Sequence, residues 1–173
     1  MKKIAGLLVS LTLIAGICAA VLAYVNEVTK DAIAAVQTQK TQAAAKAVMP
    51  SEVVSVEGGR DGAPFVGKDA SGAVVGYAAA GKAGGYGGDV ELMVGFRADR
   101  KTVVCYKTLK ATETPGLGMK LNEAAFAGQF AGKDGTALRV AKDGGEIQAI
   151  TSATITSRAV CAAVKSAAER LIP

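Results

Sequence analysis

The sequence predicts an α+β protein, with a single N-terminal transmembrane helix, an antiparallel or mixed sheet, and a closing C-terminal helix. Residues 4–25 carry no charged side chain. Between residues 52 and 111, short runs rich in valine alternate with glycine-containing turns, which is typical of strands. From about Thr156 to Leu171, apolar residues recur at helical spacing. Strands first and a helix last favour α+β over a repeating βαβ order.

The apolar N-terminus predicts a membrane anchor at residues 1–25. A helix from Ile4 to Val25 is roughly 33 Å long, enough to cross a hydrocarbon core of about 30 Å. Lys2 and Lys3 predict a cytoplasmic N-terminus, so that this single-pass protein of the cytoplasmic membrane places most of its chain on the extracytoplasmic side. A cleaved signal peptide ending at "VLA" before Tyr24 is the alternative. The length of the apolar run favours a retained anchor, because signal peptides usually have about 7–15 apolar residues.

The segment after the anchor predicts a stalk helix at residues 26–49. It is rich in Ala, Gln and Lys, and Pro50 is expected to end it. Residues 50–173 then remain as one extramembrane domain, which is long enough to bury a core.

Four segments predict strands: "EVVSVEGG", "GAVVGYAAAG", "DVELMVGF" and "KTVVCYKTLKA". In the third, alternation places Val90, Leu92, Val94 and Phe96 on one face. The turn "RADR" joins the last two segments as a hairpin.

The C-terminal half predicts helices. "NEAAFAGQF" is a candidate short helix with Phe126 and Phe130 at positions i and i+4. "ALRV", the turn "AKDGGE" and "IQAI" follow it. The final helix carries an apolar stripe of Val160, Val164, Ala167 and Leu171.

Composition excludes several classes of function. The net charge of +5 is scattered over 20 basic and 15 acidic residues, and there is no Trp, so no nucleic-acid surface is expected. Histidine is absent and the three cysteines lack metal-ligand spacing, which argues against a metal site and a hydrolase triad. Cys105 and Cys161 are expected as buried thiols, with a disulfide as the alternative. No side chain is assigned as catalytic, and any redox chemistry is expected to come from a cofactor.

The segment "TSATITS" (151–157) places five hydroxyl residues at the start of the final helix. A helix N-terminus attracts phosphate through its unpaired N–H groups and partial positive charge. An ordinary helix cap is the alternative. Two glycine-rich segments, "AGKAGGYGGD" (80–89) and "ETPGLGMK" (113–120), suggest that one cleft forms from all three. Neither has the residue order of a P-loop.

Together, "GYGGDVELMVGF", "ETPGLGMK" and "ITSATITSRAV" resemble, in order and spacing, the signature segments of the FMN-binding domain of the G subunit of Rnf electron-transport complexes. The resemblance covers roughly Ala80 to Ala168 and extends to the C subunit of the sodium-pumping NADH:quinone oxidoreductase. In this family FMN is joined through its phosphate to the last threonine of an [ST]-G-A-T motif. The resemblance therefore implies covalent attachment at Thr154, made by a separate FAD-dependent flavin transferase.

Two residues depart from the family pattern. Ser152 stands where the family has glycine, which matters if the backbone there needs a positive φ angle. Gln148 stands where an Asp is common, and this difference weakens recognition if the transferase contacts that position.

The resemblance and the residue chemistry together give the other expected contacts. Thr156, Ser157 and Arg158 are candidates for binding the phosphate. Gly116 and Gly118 are expected to admit backbone N–H groups to the ring, and Leu117 to pack on it. Glu113 or Thr114 is expected to orient the loop, and Lys120 to favour a reduced anionic flavin. A solvated Glu113–Lys120 ion pair and a merely surface-exposed Tyr86 are the alternatives. The full set of expected cofactor-binding residues comprises Tyr86, Glu113, Thr114, Pro115, Gly116, Leu117, Gly118, Lys120, Thr151, Ser152, Ala153, Thr156, Ser157 and Arg158.

The function that the resemblance implies is electron transfer through covalent FMN, as one subunit of an ion-translocating ferredoxin:NAD oxidoreductase. The expected partners are the membrane, the other membrane and redox subunits, and the flavin transferase. One alternative is an FMN-binding subunit of another extracytoplasmic respiratory chain, such as the sodium-pumping quinone reductase. The other is an anchored structural module without a cofactor.

Overall fold

A computed structural model describes residues 2–59 and 62–172, with side chains except at positions 2–5 and 8. The chain divides into two units, residues 1–39 and 40–173. One helix, α1 (Lys2–Val48), supplies the first unit and enters the second. It ends at Val48, two residues before Pro50. The predicted membrane orientation depends on Lys2 and Lys3, whose side chains the structure does not describe.

Among the described residues, α1 is the one helix that has the length and composition to cross a membrane. The apolar side chains from Val9 to Val25 are exposed to the surroundings, as those of a lipid-facing helix are. The helix continues through the predicted stalk without a break, so the boundary at Val25 stays a prediction.

The strands of the described residues form one antiparallel five-stranded sheet in sequence order. They are β1 (Ser55–Gly58), β2 (Phe65–Lys68), β3 (Val74–Gly84), β4 (Asp89–Arg97) and β5 (Val103–Lys110). The two long strands β3 and β4 pair without interruption from Gly76–Arg97 to Gly84–Asp89. The glycine-rich segment 80–89 is therefore half strand, and only residues 85–88 form the turn.

The final helix, α3 (Thr154–Glu169), covers one face of the sheet. The helix begins and ends about two residues earlier than predicted, so Leu171 of the predicted stripe lies beyond its end. Val160, Val164 and Ala167 are buried against β3 and β4, where Val90, Leu92, Val94 and Phe96 are all fully buried. This packing brings the start of α3 close to the turn between β3 and β4.

The last turn of α1 covers the other face. Ala44, Ala45 and Val48 of α1, together with Met49 just after it, pack against Phe65, Ala78 and Met93. The centre of the sheet of residues 40–173 is thus buried on both sides. This explains why Met93 and Gly95, on the face of β4 turned away from α3, are buried, whereas Asp89 and Arg97 at the two ends of the strand are exposed.

The segment between β5 and α3 carries little regular structure. It contains a 3₁₀ turn (Gly118–Asn122), the short helix α2 (Ala124–Ala127), and two further 3₁₀ turns. The predicted short helix is thus α-helical only over four residues and continues as a 3₁₀ turn (Gly128–Phe130). Phe126 and Phe130 contact each other edge to face, with ring centroids 5.5 Å apart. "ALRV" and "IQAI" meet only in a single bridge between Val140 and Ile147.

Candidate functional site

Three segments that are far apart in sequence enclose a cavity of about 580 Å³, within the 300–1,000 Å³ typical of small-molecule sites. They are the turn after β3, the loop after β5, and the first turn of α3. This site cavity is lined by Tyr86, Glu113, Thr114, Leu117, Gly118, Ser152, Ala153, Thr154, Ile155 and Thr156.

Most of the lining was expected from the sequence. Ile155 is the exception: it was not among the expected residues, although an isoleucine between two threonines at the predicted helix start was a usable signal. Six expected residues do not line the site cavity: Pro115, Gly116, Lys120, Thr151, Ser157 and Arg158.

The first turn of α3 has free donors at the cavity wall. Ala153 occupies the N-cap position and makes no side-chain cap bond. The first helical bond runs from the Ser157 N–H to the Ala153 carbonyl, at 3.0 Å. The N–H groups of Thr154, Ile155 and Thr156 have no partner among the described residues. The hydroxyl cluster is therefore not an ordinary cap, and the helix start remains open to an anion.

Two of the three hydroxyls in this turn are already engaged. Ser157 is fully buried, and its Oγ donates to the Ala153 carbonyl (2.9 Å) and accepts from the Ile150 N–H (2.9 Å). Thr156 is 1% exposed and donates to Oε2 of Glu113 at 2.7 Å. Thr154 is half-buried, lines the cavity, and makes no side-chain hydrogen bond within the described residues. Of the three, Thr154 alone presents a hydroxyl free to react.

Glu113 joins the three segments. It is 5% exposed, and its Oε1 accepts hydrogen bonds from the N–H groups of Tyr86 (2.9 Å) and Gly87 (3.3 Å). Its Oε2 accepts the Thr156 hydroxyl. These bonds take the place of the Glu113–Lys120 ion pair that the sequence left as an alternative, because no cation pairs with Glu113 in the described part of the chain.

Two glycines make room for this carboxylate. A Cβ atom at Gly85 would lie 2.1 Å from Oε1, and one at Gly118 would lie 2.6 Å from Oε2. Gly118, which was expected to admit a ligand, thus also admits Glu113. Gly116 has a different role, since its φ of 75° is that of a turn.

Arg158 points to a partner outside the site cavity. Its Nε and Nη2 donate to the two carboxylate oxygens of Asp143 at 2.7 and 2.6 Å. Hydrogen bonding to Arg158 lowers the pKa of Asp143. The guanidinium is therefore already paired, and the expected contact with a phosphate would require that pair to open.

Lys120 and Thr151 line a shallower hollow of about 250 Å³, together with Gln148. The backbone of Gln148 is bonded on both sides by the side-chain amide of Gln129. Cys18, Cys105 and Cys161 are all free thiols. Cys161, in α3, is buried as expected, whereas Cys105 is only half-buried and lies toward the opposite face of the sheet.

Ser152 adopts a left-handed backbone with φ of 62°. This is the position where the resembling family carries glycine, and a left-handed conformation costs an L-residue about 1–2 kcal/mol. A glycine at this position avoids that cost, but its greater conformational freedom in the unfolded chain offsets about 0.4–1 kcal/mol of the gain.

We expect Ser152→Gly to raise the free energy of unfolding by about 0.5–1 kcal/mol, because it removes this strain. Thermal unfolding of the flavin-free chain checks the result, with an expected increase of roughly 2–4 °C. Thr151→Gly is the matched control, since Thr151 is exposed and lacks a positive φ. An unchanged or lower melting temperature for Ser152→Gly would show that the serine is not strained.

The fold and the cavity are typical of a small-molecule-binding domain, and the start of α3 is open to an anion. Comparison with known proteins specifies the class: the FMN-binding domain family matches residues 85–169. The G subunit of an ion-translocating oxidoreductase complex from Methanosarcina acetivorans is 33% identical, over 97% of this chain and 94% of that protein. The G subunit of a Na(+)-translocating ferredoxin:NAD(+) oxidoreductase complex from Acetobacterium woodii is 33% identical, over 89% and 84%.

The chain therefore belongs to the G-subunit family of ion-translocating oxidoreductase (Rnf) complexes and is a single-pass membrane protein. The crystal structure of Shewanella oneidensis NqrC shares its fold, with a TM-score of 0.52 and 24% identity. That match covers 59% of this chain and 52% of NqrC.

The residues of the site cavity fit FMN. The unpaired N–H groups and the free Thr154 hydroxyl suit a phosphate, and apolar side chains of Leu117 and Ile155 suit a ring system. Tyr86 is on the rim, with most of its side chain exposed.

Proposed function

We propose that the chain carries FMN as a phosphoester on Thr154 and relays electrons between the other redox subunits of an ion-translocating ferredoxin:NAD oxidoreductase complex. The attachment requires a flavin transferase that uses FAD. In that transfer the Thr154 Oγ1–phosphorus bond forms, the pyrophosphate bond of FAD breaks, AMP leaves, and the hydroxyl proton is released.

The observation that carries this proposal is the difference between the three hydroxyls of the first α3 turn. Ser157 and Thr156 are buried and hydrogen-bonded, whereas Thr154 lines the site cavity with a free hydroxyl. A transferase can reach only an exposed acceptor, and a phosphate attached there remains beside the open helix start. The dipole of α3 adds roughly 0.3–1 kcal/mol to the binding of a phosphate, too little to retain a flavin without a covalent bond.

The chain's own residues bind and orient the cofactor. The N–H groups of Thr154, Ile155 and Thr156 are available to the free phosphate oxygens. Leu117 and Ile155 project apolar surface at the cavity and would exclude water from the ring. The bound FMN supplies the electron-transfer chemistry. No side chain in the site is assigned a proton-transfer role.

The orientation of the chain follows from its N-terminus. Lys2 and Lys3 precede the apolar helix, and basic residues favour the cytoplasmic side. We therefore place the domain on the extracytoplasmic side. A covalent link is useful there, because flavin that dissociated from the protein would be lost from the cell.

A role in the sodium-pumping quinone reductase is less favoured. The likeness to NqrC covers about half of that chain, whereas the likeness to the G subunit from Methanosarcina acetivorans covers nearly the full length of both proteins. A structural module without a cofactor is disfavoured by the match to the FMN-binding domain family.

Peptide mass spectrometry tests the attachment. The chain is produced with a flavin transferase and digested, and the peptide containing Thr154 is expected to carry the mass of FMN less one water. Fragmentation must place that mass on Thr154 rather than on Thr151 or Thr156. A fully unmodified peptide from a preparation with an active transferase would refute covalent attachment.

A further inference from the structure

Glu113 is a buried carboxylate that forms no salt bridge among the described residues, and it lies in the wall of the site cavity. Its oxygens accept hydrogen bonds from two backbone N–H groups and one hydroxyl. An ionised carboxylate can only accept hydrogen bonds, so donors on both oxygens suit that form of the side chain.

The hydrogen bonds alone do not require this charge. A glutamine side chain has the same shape, and its carbonyl oxygen accepts from the Tyr86 and Gly87 N–H groups as Oε1 does. Burying a charge without an ion-pair partner is costly, and the chain makes additional room for it with Gly85 and Gly118. A merely structural link between the turn and α3 would be made at lower cost by a neutral group.

The negative charge of Glu113 acts electrostatically on the group that is bound in the site cavity. In a partly buried site a fixed negative charge opposes the addition of further negative charge nearby, since the interaction is screened much less than in water. Reduction of a flavin adds electrons to the group in the cavity, and that group gains negative charge wherever it takes up fewer protons than electrons. From its position in the wall, we infer that Glu113 lowers the reduction potential of the bound FMN and so biases the protein toward donating electrons.

This inference rests on the proposed function, because it requires FMN in the site cavity. Glu113 acts on the cofactor through its electric field and through the turn that it holds, so it is a positioning residue rather than a catalytic one. A purely structural role would alter stability or flavin loading but not the potential.

The test compares the flavin midpoint potentials of the flavin-loaded full-length chain and its Glu113→Gln variant by spectroelectrochemistry. We expect a positive shift. At the wild-type midpoint, the ratio of reduced to oxidised flavin should increase by about tenfold, the order expected for removing one charge at effective dielectric constants near 20. Glu123→Gln is the matched control, because Glu123 is exposed and lies outside the site cavity, and it should leave the potential unchanged.

Glu113→Ala provides a second variant that removes the charge together with the hydrogen bonds, and it should shift the potential in the same direction. Flavin-loaded variants with the wild-type potential would overturn the inference. Failure of both variants to load flavin would also overturn it, because Glu113 would then be a structural residue. A wild-type chain without flavin would instead refute the proposed function, so the two failures are distinguishable.

Discussion

Replacing Thr154 by Ala is expected to abolish covalent flavin incorporation completely while leaving the fold intact. Loss follows from the chemistry, since a phosphoester needs an oxygen and alanine has none. Retention of the fold follows from the contacts, since the Thr154 hydroxyl makes no hydrogen bond within the described residues. The readout is flavin fluorescence of the full-length chain after denaturing electrophoresis, with circular dichroism to verify folding.

Thr38→Ala is the matched control for that experiment. Thr38 is an exposed threonine of α1 that lies outside both the attachment motif and the site cavity, so its loss should leave in-gel fluorescence unchanged. Full fluorescence in Thr154→Ala would move the attachment elsewhere. Thr156 would be the next candidate, although its hydroxyl is buried and already donated to Glu113.

Much of the site was predictable because most of the residues that line it lie in three short sequence motifs. The two glycine-rich segments contain Tyr86, Glu113 and Leu117, the family resemblance pointed to Thr154 within the hydroxyl cluster, and all four residues line one cavity. Which hydroxyl is free was not predictable from composition. It depends on where α3 begins and on the carbonyl that each side chain meets, and both are set by tertiary packing.

The contacts of Glu113 illustrate the limit most clearly. The sequence offered Lys120 as its partner, because opposite charges in one loop suggest an ion pair. The structure instead pairs it with Tyr86, Gly87 and Thr156. The closest of these in sequence is 26 residues away, so no local pattern encodes the contact. Only the glycines that leave space for the carboxylate hinted at it.

The fold was predictable where periodicity was strong. β4 alternates cleanly and α3 carries a continuous stripe, and both were predicted. β2 was not predicted, because it has four residues with a glycine among them. Tertiary packing requires glycine at this position, because a Cβ atom at Gly67 would lie within 2.8 Å of the side chains of Val53 and Met49. Weak local preference for a strand is overridden there by packing against the end of α1.

Close packing of α3 on the sheet leads to the largest expected effect on stability. Gly81, in the middle of β3, lies directly beneath α3, and a Cβ atom there would be 1.9 Å from the Ala163 carbonyl oxygen. This contact is with helix backbone, which cannot rotate away as a side chain can. Gly81→Ala therefore forces α3 away from the strands on which its apolar stripe is buried.

We expect Gly81→Ala to lower the free energy of unfolding by about 3 kcal/mol, the upper part of the usual range for overpacking. For a domain of this size the melting temperature should fall by roughly 10 °C. Gly84→Ala is the matched control, because Gly84 ends the same strand and a Cβ there meets nothing within 4 Å. It should change stability by no more than about 0.5 kcal/mol. Similar melting temperatures for the two variants would mean that α3 does not pack closely on Gly81. The position of Thr154, at the start of α3, could then not be attributed to that contact.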